Sequence, residues 1–143
     1  MSPVREPSRI NPEVTVQFDH PDRIYEPSGA IGIRYRIEVG DDERIRAIEH
    51  SMLWYTEGKG EEDMGVHFFE RFPERGRLRG GGTTGSFATH LPASPFSYEG
   101  LIVKIRWCVR VRIFLEGGRD FVSEHVFSLG RIPPASPPRE ALP

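Results

Sequence analysis

The sequence predicts an all-β protein: an antiparallel sandwich of about seven or eight strands. Three observations lead there. Apolar residues recur at every second position through several segments, which is the period of a half-buried strand. The chain has 143 residues with 13 prolines and 15 glycines, and these fall between the apolar segments, as turns do in an all-β chain. No segment shows convincing helical spacing. A chain of this length holds one domain with a real core.

The elements follow in order. Residues 1–12 are polar and contain proline, and are expected to form a loose arm. Val14, Val16 and Phe18 then alternate with Thr15 and Gln17. His20-Pro21-Asp22 breaks that run and Pro27-Ser28-Gly29 marks a turn. Ile31, Ile33, Tyr35, Ile37 and Val39 alternate with Gly32, Arg34, Arg36 and Glu38 in a strand that Gly40-Asp41-Asp42 is expected to end. In RIRAIEHSMLWYTEG, Ile48, Met52 and Trp54 share one parity while Ala47, Leu53 and Tyr55 share the other. Its β-branched and aromatic residues favour a strand, bulged or covered on both faces, over a helix across residues 42–54.

GKGEED reads as a polar turn, GVHFFERF as a strand, ERGRLRGGGTTG as a flexible loop and SFATHLP as a short strand closed by proline. PASPFSYEG is a turn-rich connection. Residues 101–116 form the clearest strand, and Gly117-Gly118-Arg119-Asp120 turns it into a hairpin with FVSEHVFSL. The domain therefore spans residues 13–130. The tail 131–143, RIPPASPPREALP, holds five prolines in 13 residues and is expected to be disordered.

Composition limits the function. A net charge of −2 gives no global pull toward nucleic acid or anionic membrane. Cys108 is the single cysteine, so neither an internal disulfide nor a cysteine-based zinc site can form. No apolar run approaches the ~20 residues of a membrane-spanning helix. The opening MSPVREPSRINPE lacks the apolar segment of a secretory signal. A soluble, cytoplasmic protein is expected.

Catalytic signals are weak. His20, His50, His67, His90 and His125 show no metal-binding spacing. Ser97-Tyr98 lies in no Gly-x-Ser-x-Gly elbow, and reads as turn chemistry: a hydroxyl capping a turn and a ring over the sandwich end. GKGEED and RGGGTTG follow neither phosphate-loop nor dinucleotide-loop spacing. Cys108 is either a packing residue or a thiol whose pKa nearby cations would lower. No catalytic residue, metal or cofactor is predicted.

The sharpest feature is a basic row. Val103, Ile105, Trp107, Val109, Val111, Ile113 and Leu115 share one parity, while Lys104, Arg106, Cys108, Arg110 and Arg112 share the other. Successive strand residues point to opposite faces, so four cations line one face about 7 Å apart. Arg34 and Arg36 would broaden the patch if their strand lay alongside. Two readings compete. In one, carboxylates such as Glu38 and Glu124 on adjacent strands answer the row in the manner of ordinary cross-strand pairs. Alternatively the face receives an acidic or phosphorylated peptide or anionic lipid. Paired charges are common on sandwich faces, which favours the first. No aromatic residues interleave with the row, which argues against nucleic acid.

Three stretches resemble an arrestin-type domain, the immunoglobulin-like β-sandwich shared by arrestins and the Vps26 subunit of retromer. VTVQFDHPDRIYEPSGAIGIRYRIE is similar to the family's opening strands around a Tyr-x-Pro-Gly turn, and IRAIEHSMLWYTEGKG to the strand that follows. SFATHLPASPFSYEGLIVKIRWCVRVRIFL is similar to its run of Leu-Pro, Pro-x-Ser-Tyr-x-Gly and a long alternating strand. Ser28-Gly29 departs from the family's Gly-Glu after proline. One domain's worth of chain is present where arrestins and Vps26 carry two. That brevity resembles stand-alone bacterial arrestin-like proteins, including the N-terminal part of the Spo0M sporulation-control type.

The resemblance implies a non-catalytic scaffold or protein-interaction module, working through strand edges or the basic face of Lys104, Arg106, Arg110, Arg112, Arg34 and Arg36. One alternative is a structural subunit that forms homo-oligomers through a sheet edge. The other is a ligand or catalytic site in the loops around Tyr98, His90 and Gly80 to Gly82.

Overall fold

The computed structural model describes residues 11–73 and 79–131. The expected arm and proline-rich tail lie outside these residues, apart from positions 11, 12 and 131. The described chain is all strand and turn: β1 (Glu13–Phe18), β2 (Ile24–Tyr25), β3 (Ala30–Gly58), β4 (Met64–Pro73), β5 (Arg79–His90), β6 (Tyr98–Glu99), β7 (Val103–Leu115) and β8 (Asp120–Leu129). No helix among the described residues is long and apolar enough to cross a membrane.

β3 organises everything else. Its first third pairs antiparallel with β1 on one side and β5 on the other. Its last third pairs antiparallel with β4 on one side and β7 on the other. β8 and the short β6 add to the far side of β7, and β2 lies parallel to β8. One strand thus belongs to both layers, and the connected sheet curls back on itself.

The corner is made at Gly40-Asp41-Asp42, where the sequence was expected to end a strand. Val39 faces Gly81 and Arg44 faces Arg79, so residues 40–43 of β3 stand against Gly80 alone. Such extra residues bend and twist a strand without ending it. A second irregularity follows at once. Ile45 faces Leu115 and Ala47 faces Phe114, so Arg46 is skipped. That single skip switches the inward parity of β3 from odd (Ile31, Ile33, Tyr35, Ile37) to even (Ile48, His50, Met52, Trp54). The bulged strand predicted for residues 44–58 is present, with a further register shift against β4 at Met52/Leu53.

The inward rows of both layers make one core. Ile31, Ile33 and Ile37 meet Trp107, Val109, Val111, Ile113 and Leu115, all essentially inaccessible to solvent. Burying side chains of this size contributes about 1.5–3 kcal/mol each. The alternation read along residues 103–115 becomes the core from Trp107 to Leu115, while Val103 and Ile105 are half-buried and lie outside it.

The glycine-rich ERGRLRGGGTTG corrects the expectation of a loop. Its described portion, from Arg79, is part of β5 and pairs with β3 through Gly81, Gly82, Thr83, Thr84 and Gly85. Close approach of an aromatic ring explains Gly85. Tyr35 sits opposite it, and a Cβ there would come within 2.3 Å of the Tyr35 hydroxyl oxygen. Gly65 plays the same part beneath Trp54 on β4. Ser28 occupies a left-handed conformation (φ 63°) at the turn where the resembling family carries glycine.

Gly85→Ala must displace the Tyr35 ring. Urea denaturation is expected to show a loss of about 1–3 kcal/mol, the usual cost of overpacking, and an unchanged midpoint would contradict this packing.

Candidate functional site: the charged faces and the open side of the sandwich

The basic row of β7 lies on the outer face of its layer, and every member faces a carboxylate. Lys104 lies 3.7 Å from Glu99. Arg106 bridges Glu57 (2.8 Å) and Glu99 (3.1 Å). Arg110 meets Glu124 at 2.7 Å and Arg112 meets Asp120 at 2.6 Å. Neighbouring strands supply the carboxylates because their outward positions fall in register with the row: Glu57 opposite Lys104 on β3, Glu99 opposite Lys104 on β6, and Glu124 opposite Arg110 on β8. Partly exposed pairs of this kind contribute about 0.2–1 kcal/mol each. Their main effect is to cancel the row's charge locally.

Arg34 and Arg36 do not broaden this patch. They lie on the part of β3 flanked by β1 and β5, in the other layer. Arg36 pairs with Glu38 (2.9 Å) on its own strand, and its guanidinium lies over Gly82 of β5. Among the described residues no carboxylate forms an ion pair with Arg34. It stands between Gln17 of β1 and Ser86 of β5. These three residues line two adjoining hollows of ≈470 and ≈480 Å³ along the outer face.

Cys108 shares parity with the basic row, yet it is fully buried. It sits opposite Leu53 on one side and Val126 on the other, and Leu53 sits opposite Val66. An apolar stripe thus crosses four strands between the ion pairs. Burial pushes the thiol pKa up to about 12, with Glu124 adding to the rise and Arg110 opposing it. The reactive-thiol reading fails, because desolvation outweighs the cations.

Ser97 is structural. Its amide donates to the Leu129 carbonyl (2.9 Å), and its hydroxyl oxygen accepts from the Leu129 amide (2.9 Å). The ring that closes the sandwich end is Tyr25, whose hydroxyl donates to Asp19 (2.6 Å). Tyr98 stays 43% exposed over Gly100. No group of three or more metal-ligating side chains gathers among the described residues.

The open side of the sandwich holds a cluster that spacing did not reveal. Among the described residues β4 and β5 each pair with β3 alone, and they meet across the open side where Phe68 stacks on Phe87 (centroids 5.3 Å) and His67 Nε2 reaches the His90 carbonyl. Between them is a cleft of ≈250 Å³ lined by Tyr35, Ile48, His50, Phe72 and β5 residues 84–86. His50, 1% exposed, stacks on Phe87 with centroids 4.2 Å apart and packs near Phe72 and Phe68. Its Nδ1 meets the Tyr35 hydroxyl at 2.9 Å, and its Nε2 meets Glu70 at 3.2 Å. An ionised carboxylate only accepts, so Nε2 carries the proton and Nδ1 of the neutral ring accepts from Tyr35. The contact ties β4 to the opposite layer. The sequence held one signal for it: His50 sits in the even parity of Ile48, Met52 and Trp54.

No protein-family model matches the chain, and no curated protein matches it in sequence. Among solved structures it is similar to Spo0M, the sporulation control protein from Bacillus subtilis, with a TM-score of 0.59 and 17% identity over 85% of this chain. The fold is arrestin-like. The chain matches 50% of that protein's length, and at this identity the likeness speaks for the fold alone.

Burial lowers the pKa of His50 below 6.5, with Glu70 opposing the shift. Burial also lowers that of His125, with Arg23 adding to the effect. A depressed histidine pKa means that the unfolded chain binds the proton first. This share of stability is complete above pH 6.5 and is lost as pH falls below it. Urea titrations at pH 7.5 and 5.5 are expected to show lower stability at the acid pH, and His50→Phe should shrink the difference. A difference of equal size in the variant would contradict the assignment.

Proposed function

We propose that the chain is a non-catalytic protein-interaction module that binds a partner at the open side of its sandwich. The observation that carries this reading is the pair of strand edges, β4 and β5, each bonded on one side only among the described residues and flanking the cleft beneath Phe72. Unpaired edges are templates for another chain's backbone, and flanking pockets select its side chains. Phe72, 40% exposed on β4, adds apolar surface at the same place. The arrestin-like fold supports a scaffold role by analogy. A lone cysteine, buried as a thiol, fits the reducing cytoplasm, where this reading places the protein.

The β7 face is the weaker candidate for an acidic or phosphorylated peptide. An anion gains little from cations that each hold a carboxylate already. Homo-oligomerisation is the second reading, since an open edge also suits a second copy of the chain.

The test is photo-cross-linking in the cell of origin, with a benzoylphenylalanine at position 72 and a control at Val122 on the outer face of β8. Adducts from position 72 and none from 122 are expected. Adducts confined to position 122, or none from 72, would overturn the proposal. An adduct of twice the chain mass would turn the reading to the homo-oligomer.

A further inference from the structure

We infer that β5 is the edge that accepts the partner, as an extended segment alternating acidic and apolar residues that adds to the sheet as its next strand. The inference rests on the open-side reading and names the chemistry of what binds there.

The two edges differ in their protection. β4 carries a register shift between Met52/Leu53 that leaves His67 extra, the charged Glu70 and Arg71, and the terminal Pro73. These are the devices that keep strand edges from pairing. From Gly82 to Thr89, β5 has no Lys, Arg, Asp, Glu or Pro, and its register against β3 runs unbroken from Gly81 to His90. Beyond that stretch the His90 carbonyl already accepts from His67 Nε2 (2.7 Å), so the usable edge ends there.

The side chains of an added strand would meet two different surfaces. Positions opposite Gly82, Thr84 and Ser86 share the outer face with Arg34 and Arg36. Arg34 has no ion-pair partner among the described residues, whereas Arg36 leans over Gly82 but already holds Glu38 (2.9 Å), so Arg34 is the cation left to receive an acid. The intervening side chains are small, so an acid on the added strand, about 4.8 Å beyond β5, lies within reach of the Arg34 guanidinium. The position opposite Gly85 faces the other way, into the cleft lined by Ile48, Phe72 and Tyr35. An apolar side chain fits there. Successive strand residues alternate between these surfaces, so the preferred segment alternates acid and apolar.

The probes are three labelled eight-residue peptides: alternating glutamate and valine, alternating lysine and valine, and the first peptide N-methylated at every second amide. They are titrated into the full chain by fluorescence anisotropy, with amide exchange as a second readout. The glutamate peptide is expected to bind about tenfold tighter than the lysine peptide, as charge complementarity requires. N-methylation that removes the edge-facing donors should weaken it by a similar factor, since main-chain hydrogen bonds carry affinity in strand addition. Arg34→Glu should reverse the charge preference. Exchange should slow within residues 82–89. Equal binding of the two charge types, absence of binding, or protection confined to β1 or β4 would overturn the inference. Cross-linking from position 72 can succeed whatever these peptides do, so the two failures are distinguishable.

Discussion

The passage of β3 through both layers is the constraint on which the rest of the structure depends. Sandwich layers are ordinarily separate sheets held together by side chains. Here the backbone hydrogen bonds of β1 and β5 and those of β4 and β7 end on one continuous strand. Two register irregularities near residues 40–46 make this workable. They turn the corner and switch the inward parity, so that apolar side chains face the core on both sides of the bend. Without the switch, Ile48, His50 and Met52 would face solvent.

The same bend shapes the surface. It carries Arg34 and Arg36 onto a different layer from the β7 row, which divides one apparent basic patch into two unlike ones. The β7 row is neutralised by carboxylates from β3, β6 and β8. Arg34 forms no ion pair among the described residues and shares its hollow with Gln17, Ser86 and Asp19. The bend also brings the β4 and β5 edges together, with His50 between them contacting Tyr35 on one layer and Glu70 on the other. The features proposed for recognition therefore gather where the two layers meet at an open side.

Local chemistry made much of this legible. The parity of residues 103–115 identified the core face, because a strand's side-chain period is two and a sheet's inner face is apolar. The bulge in residues 44–58 was legible for the same reason, since apolar residues on both parities require either a register shift or cover on both faces. The continuity of β3 was not. Gly40-Asp41-Asp42 has the composition of a turn, and only the pairing partners across the sheet turn it into a corner. The Gly80 to Gly85 stretch misled in a related way. Glycine is a poor strand former by propensity, but Gly85 is the residue that lets Tyr35 lie across its neighbour. The basic side chains of β7 and of the first part of β3 stand opposite to the core parity of their strands. Parity names a face but not the strand beside it, so the Arg34 and Arg36 placement and four of the carboxylate contacts with the β7 row (those of Glu57, Glu99 and Asp120) came only from the pairing.

Native-state hydrogen exchange tests the role of β3 most directly. If one strand unites the layers, the most protected amides of β1 and β5 open with the same free energy as those of β7 and β8. Ile45→Ala at the corner, where Ile45 is buried opposite Leu115, then lowers both sets equally. Opening of the β1–β5 layer at a distinctly lower free energy, with Ile45→Ala felt only in β7 and β8, would contradict the account.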